Sequence, residues 1–162
     1  MPAEPTEPFV CRVLPEWIDY NGHMNLAYYV LAFDKATDRL FDRLGIGDAY
    51  RRTTGHSMFV LEAHVTYERE LKEGDSLSIE TQLVDTDAKR LHFFHRMHHA
   101  EQGYLAATNE LLAVHVDLAG PRSAPLPAEA AAAIGAMLAE HRRLPRPPQL
   151  GRSIGLRNKR AQ

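Results

Sequence analysis

The chain has 162 residues, 44% of them hydrophobic and 25% charged, which suits one domain with a single sizeable core. Cys11 is the lone cysteine, so no intrachain disulfide framework can form. The net charge of −2 is unevenly spread: Arg142, Arg143, Arg146, Arg152, Arg157, Lys159 and Arg160 stand with no acid after position 141, leaving the rest at −9, an acidic body poorly suited to nucleic acid.

Apolar runs are broken well short of the roughly 20 residues that a membrane helix needs, and Met1-Pro2-Ala3-Glu4-Pro5 lacks a leader pattern, so we expect a cytoplasmic protein without membrane contact. Pro8 to Leu14 reads as an opening strand with Cys11 packed inside it, ended by Pro15. From Leu26 the apolar residues Leu26, Tyr29, Val30, Phe33, Leu40, Phe41 and Leu44 recur at three- and four-residue steps, with Thr37 filling the gap. This predicts one long helix buried along a stripe, with Asn25 as N-cap and Gly45 as its stop. Gly47 to Gly55 reads as a short helical turn or loop.

The period then switches to two. Phe59, Leu61, Ala63, Val65 and Tyr67 form an apolar face opposite Met58, Val60, Glu62, His64, Thr66 and Glu68. Lys72-Glu73-Gly74-Asp75 turns into a strand carrying Leu77, Ile79, Thr81 and Leu83. Two more strands, Lys89 to Ala100 and Tyr104 to Leu118, meet at Glu101-Gln102-Gly103, completing an antiparallel meander. Pro121, Pro125 and Pro127 lead into an alanine-rich helix from Ala128 to Arg143. The pattern predicts an α+β domain over 1–141, its antiparallel sheet wrapped around the long helix. Residues 142–162 then form a basic, Pro-containing tail, either solvated or folded onto an anionic ligand. Unpaired sheet edges predict a homodimer, with a homotetramer as the larger option.

The densest chemistry is Asp19-Tyr20-Asn21-Gly22-His23-Met24-Asn25, which sets Asp19, Asn21, His23 and Asn25 at every second position before a helix N-terminus. There, unpaired amides and a partial positive charge can hold developing negative charge. Asp19 is the candidate base or nucleophile, His23 a proton carrier, and Asn21 a group that positions water or a carbonyl. The plainer roles are a local turn for Asp19 and Asn21 and a cap for Asn25. Glu62, on a strand that is otherwise apolar nearby, is the second candidate carboxylate. His64 joins it on the same side, as a substrate-binding group or as its partner. Trp17, Tyr20 and Tyr28 flank Asp19 and offer aromatic faces to a cation.

No metal is expected. His95 and His99 lie about 13 Å apart along one strand face, His98 and His99 point to opposite faces, and no His/Cys cluster has zinc spacing. Gly55-His56-Ser57-Met58-Phe59 lacks the second glycine of a nucleophile elbow, and no glycine-rich phosphate loop occurs.

The order strand, Asp19-to-Asn25 segment, long helix and four long strands resembles the hotdog fold of acyl-CoA thioesterases over roughly residues 8–140. The alternating Asp19, Asn21, His23 and Asn25 resemble the active-site segment of the plant acyl-carrier-protein thioesterase branch. Four blocks, residues 15–25, 59–64, 87–92 and 151–157 (the last reading Gly-Arg-Ser-Ile-Gly-Leu-Arg), are similar to the betainyl-CoA thioesterases of carnitine catabolism. The resemblance implies hydrolysis of betainyl-CoA to glycine betaine and coenzyme A without a cofactor. Trp17, Tyr20 and Tyr28 would then cage the trimethylammonium group, and Lys89 and Arg90, or Arg152 and Arg157 from the tail, would meet the phosphates. Two rivals remain: a hotdog hydratase, whose motif has a Pro and one more residue where only Gly22 separates Asn21 from His23, and a non-catalytic acyl-CoA-binding module.

Overall fold

The computed structural model describes residues 7–156. Five strands, β1 (Phe9–Arg12), β2 (His56–Tyr67), β3 (Ser76–Thr86), β4 (Arg90–His99) and β5 (Leu105–Asp117), form an antiparallel sheet in the order β1-β3-β4-β5-β2. A two-residue strand, β6 (Arg122–Ser123), adds to the far end of β5. The helices are α1 (Leu26–Arg43), α2 (Asp48–Thr54) and α3 (Ala128–His141).

Helix α1 forms where the apolar period placed it. Asn25 caps it, its Oδ1 accepting from the Ala27 N–H at 3.0 Å, and Gly45 ends it in the left-handed region at φ +72°. Its buried face runs through Tyr29, Ala32, Phe33, Ala36, Thr37, Leu40 and Phe41. The expected stripe is thus rotated, because small Ala32 and Ala36 let the helix approach the sheet while Leu26 and Val30 remain exposed. Gly47 to Gly55 resolves into α2 and its glycine caps.

Strand β2 departs from strict alternation. A bulge between Val60 and Glu62 shifts the register against β5, so Met58 and Val60 share the side of Ala63, Val65 and Tyr67. Phe59 and Leu61 therefore do not join that inner face, and Met58 enters the core in their place. Pairing only with β5, β2 leaves its other edge open.

Phe33, Phe93, Leu91, Leu83 and Met97 are among the fully buried side chains between sheet and helix. His95 sits in the same layer, stacked on Phe33 and hydrogen-bonded through its two ring nitrogens to Thr37 Oγ1 and Thr81 Oγ1, each at 2.9 Å. Helix α3 closes the part of β3 that short β1 leaves unpaired, where His141 Nδ1 accepts from the Leu83 N–H at 2.8 Å. Beyond α3 the chain stays against the protein: Pro147 and Leu150 are buried, and the Gln82 amide donates to the Pro145 carbonyl at 3.4 Å. Arg157, Lys159 and Arg160 lie outside the described residues.

Candidate active site

Residues 15–25 form a small, self-braced loop. Pro15–Trp17 makes one 3-10 turn, after which Ile18 and Met24 pair as an isolated antiparallel bridge. Between them Asp19-Tyr20-Asn21-Gly22 turns the chain back, with the Gly22 N–H donating to the Asp19 carbonyl at 3.0 Å. Gly22 closes the turn at φ +81°, a conformation that other residues adopt at a cost. The Asn25 N–H donates to the Trp17 carbonyl and the Met24 N–H to the Leu71 carbonyl, tying the loop to the start of α1 and to the connection between β2 and β3.

This bracing fixes Asp19 through both carboxylate oxygens. Oδ1 accepts from the Asn21 N–H at 2.8 Å, and Oδ2 accepts from the Asn25 side-chain amide at 3.1 Å. The Asn21 N–H above all, opposed by partial desolvation and helped by the Asn25 amide and the nearby His23, holds the Asp19 carboxyl below its ordinary range. Asp19 is therefore ionised at neutral pH, a weak proton acceptor but a fixed anion. The turn and capping roles that local chemistry suggested for Asp19 and Asn25 are both present, and they orient the carboxylate as well.

Asp19, Asn21 and His23 open onto a cleft of about 410 Å³ beside Leu26, the first residue of α1. The opposite wall comes from the end of β2 and the loop after it: Tyr67, Glu68, Arg69 and Glu70. Tyr67 donates to the Leu26 carbonyl at 3.2 Å and meets Tyr29 edge to face at 5.2 Å. Tyr29 in turn accepts from the Leu71 N–H at 3.0 Å. Arg69 lies over the Tyr104 ring at 4.0 Å, while the Glu68 and Glu70 side chains have no ion-pair partner among the described residues. The cleft thus brings together an anionic oxygen, a helix start, aromatic rings and two further carboxylates.

Other sequence-nominated residues lie elsewhere. Trp17 and Tyr28 stack on each other, centroids 5.5 Å apart, and Tyr20 is 98% exposed at the turn, so the three do not form a cage within one chain. Glu62 and His64 line a different cleft. Lys89 and Arg90 lie at the β3–β4 turn, where Arg90 pairs with Asp87 at 2.6 Å and Lys89 reaches Ser123 at 3.2 Å; neither lines the Asp19 cleft. Sequence reasoning assigned Tyr29 to the core alone and missed the run Tyr67-Glu68-Arg69-Glu70. Its signal was three charges directly after an apolar strand, without any cue to what they face. Among the described residues no three metal-ligating side chains converge, and no helix is long and apolar enough to cross a membrane.

The family model described as the thioesterase-like superfamily matches residues 13–134. The chain belongs to that superfamily and is a thioester hydrolase with the hotdog fold, as the resemblance implied. It is 45% identical over 144 residues to a betainyl-CoA thioesterase of Pseudomonas aeruginosa, a match covering 89% of this chain and 91% of the relative. It is also 38% identical over 144 residues to an L-carnitine dehydrogenase/betainyl-CoA thioesterase of Rhizobium meliloti, covering 89% of this chain but 29% of that longer protein. A hypothetical protein of Staphylococcus aureus, solved in complex with CoA, superposes with a TM-score of 0.89 at 29% identity, covering 97% of this chain and 98% of the other.

Proposed function

We propose that this protein hydrolyses betainyl-CoA to glycine betaine and coenzyme A, acting as a cytoplasmic homodimer. The observation that carries the reading is the Asp19 cleft, where a fixed anion at the mouth of α1 faces Tyr67 and the free carboxylates of Glu68 and Glu70. In betainyl-CoA the trimethylammonium nitrogen is two bonds from the thioester carbon. The group that reacts with the carbonyl and the groups that attract the cation must therefore share one small cleft, as they do here. An aromatic face and carboxylates attract a quaternary ammonium.

In this reading Asp19, a weak base, acts on the thioester carbon directly. The carboxylate oxygen bonds to carbon, the C–S bond breaks, and coenzyme A leaves as thiolate. Water then cleaves the acyl-Asp19 anhydride, returning the carboxylate and releasing betaine. The Leu26 N–H, which has no partner among the described residues, faces the developing oxyanion; Asn21 orients water, and His23 carries the proton.

Assembly follows from exposed apolar surface. Val30 and Leu31 on α1 and Phe59, Val60 and Leu61 on β2 are exposed, and β2 has an unpaired edge. A second copy pairing at β2 would cover them.

The test is a thiol-release assay comparing betainyl-CoA with 3,3-dimethylbutyryl-CoA, which replaces the charged nitrogen with carbon at nearly the same volume. The expected kcat/KM ratio favours the cation by about 100-fold, or about 2.7 kcal/mol, of which a cation on aromatic faces supplies about 2 kcal/mol and the carboxylates the rest. Equal rates would remove the charge-recognition argument.

A further inference from the structure

A second cavity, of about 310 Å³, remains unused by that chemistry. It lies on the sheet face turned away from α1, because its wall residues His92 and Glu110 alternate with Phe93 and Leu111, which belong to the core. Glu62 and His64 contribute from β2, and Gly151 and Arg152 close it from the C-terminal segment.

Glu110 is satisfied at both oxygens: Oε1 meets His92 Nε2 at 2.9 Å, and Oε2 accepts from the Gly151 N–H at 2.8 Å. That clamp holds Arg152 over the cavity. Three groups are left over. The Glu62 carboxylate and the His64 imidazole have no hydrogen-bond partner among the described residues, and Arg152 Nε is buried without an acceptor. Although two carboxylates share its cavity, the Arg152 guanidinium forms no ion pair among the described residues. A buried donor left unmade is costly, and a guanidinium fork is shaped for a carboxylate.

We propose that this cavity binds a small zwitterion, an ammonium carboxylate, with its carboxylate on Arg152 and its cationic end on Glu62. Both unpaired charges are then answered by one ligand. A multiply charged anion such as phosphate would meet Glu62 and Glu110 as well as Arg152, and a bare cation would leave the Arg152 Nε–H unpaired. His64 stands on the strand position between the two ends as a further donor or acceptor. The site accounts for the Gly151-Arg152 part of the C-terminal block, which the Asp19 cleft does not use. It stands whichever thioester that cleft hydrolyses.

The test is isothermal titration calorimetry on the full-length chain, with glycine betaine, acetate, tetramethylammonium and inorganic phosphate as probes. Wild type and Asp19→Asn should bind glycine betaine equally, with acetate, tetramethylammonium and phosphate each at least about tenfold weaker, as expected when a charge-assisted contact is missing. Arg152→Gln and Glu62→Gln should each weaken glycine betaine by about tenfold or more. If Arg152→Gln fails to fold, Glu62→Gln, an isosteric change at an exposed strand position, gives the same reading. Absence of betaine binding, phosphate or acetate binding as tight as betaine, or unchanged affinity in the variants would overturn the proposal. So would loss of binding in Asp19→Asn alone, which would place the zwitterion in the Asp19 cleft.

Discussion

Replacing Asn25 separates what holds the helix from what holds the carboxylate. Its Oδ1 caps α1 at Ala27, while its Nδ2 donates to Asp19 Oδ2 at 3.1 Å. Asn25→Ala removes both contacts, and loss of the cap alone costs about 1 kcal/mol, which lowers Tm by roughly 2–4 °C in a domain of this size. Asn25→Ser keeps a cap but is too short to donate to Asp19. It should melt within about 1 °C of wild type, since serine ranks with asparagine as a cap. Its acid limb should nevertheless move. The Asp19 carboxyl is held low partly by the Asn25 amide, so deleting that donor raises its pKa. In the proposed mechanism the ionised form is the active one, so kcat/KM should fall away at higher pH than in wild type. Asn25→Asp, which caps equally well but sets a second anion beside Asp19, should shift the limb further in the same direction. Thermal melts with pH–rate profiles on the three variants check this. If Asn25→Ser and Asn25→Asp reproduce the wild-type profile, Asn25 is a cap only and the reasoning about Asp19 fails.

Burial pushes the His95 imidazole down to about 3, well below the 6.5 of an exposed ring. From pH 6.5 downward the unfolded chain takes up a proton that the folded chain refuses, so stability should fall by about 1.4 kcal/mol per pH unit from this group, a slope that chemical denaturation detects and His95→Gln should lack. His141, lowered by burial and by Arg43, adds to the same trend. Carboxylates held low by their partners, such as Asp87 at about 2, lose their stabilising effect only at more acid pH and do not confuse that window. Leu61→Asp, at the exposed bulge of β2, should convert the proposed dimer to monomer in analytical ultracentrifugation. Tyr67→Leu should lose about three- to thirtyfold in kcat/KM for betainyl-CoA, the 0.5–2 kcal/mol of a cation–ring contact, with less effect on the neutral analogue.

The long helix and the strand order were legible because a buried helix and a half-buried sheet impose periods of 3.6 and 2 on apolar residues. The Asp19 loop was legible because short polar side chains around a glycine have few uses away from turns and sites. The bulge at Leu61 was not, since one inserted residue leaves the composition of β2 unchanged while reversing which residues face inward. The stacking of Trp17 on Tyr28 and the facing of Tyr67 toward Leu26 are long-range or orientational facts that no local pattern encodes. Glu62 illustrates the same limit. Its carboxylate stood out along the strand, but only the fold shows that it faces the C-terminal segment rather than Asp19.

The most direct test of the central claim is single-turnover thiol release from betainyl-CoA by Asp19→Asn, with substrate binding measured in parallel. Asparagine preserves the volume and the turn-closing oxygen while removing the charge. We expect binding within about threefold of wild type and a rate at least about 1,000-fold lower, the scale on which loss of an essential nucleophile registers. Release at the wild-type rate would show that the anion at position 19 takes no part in cleaving the thioester.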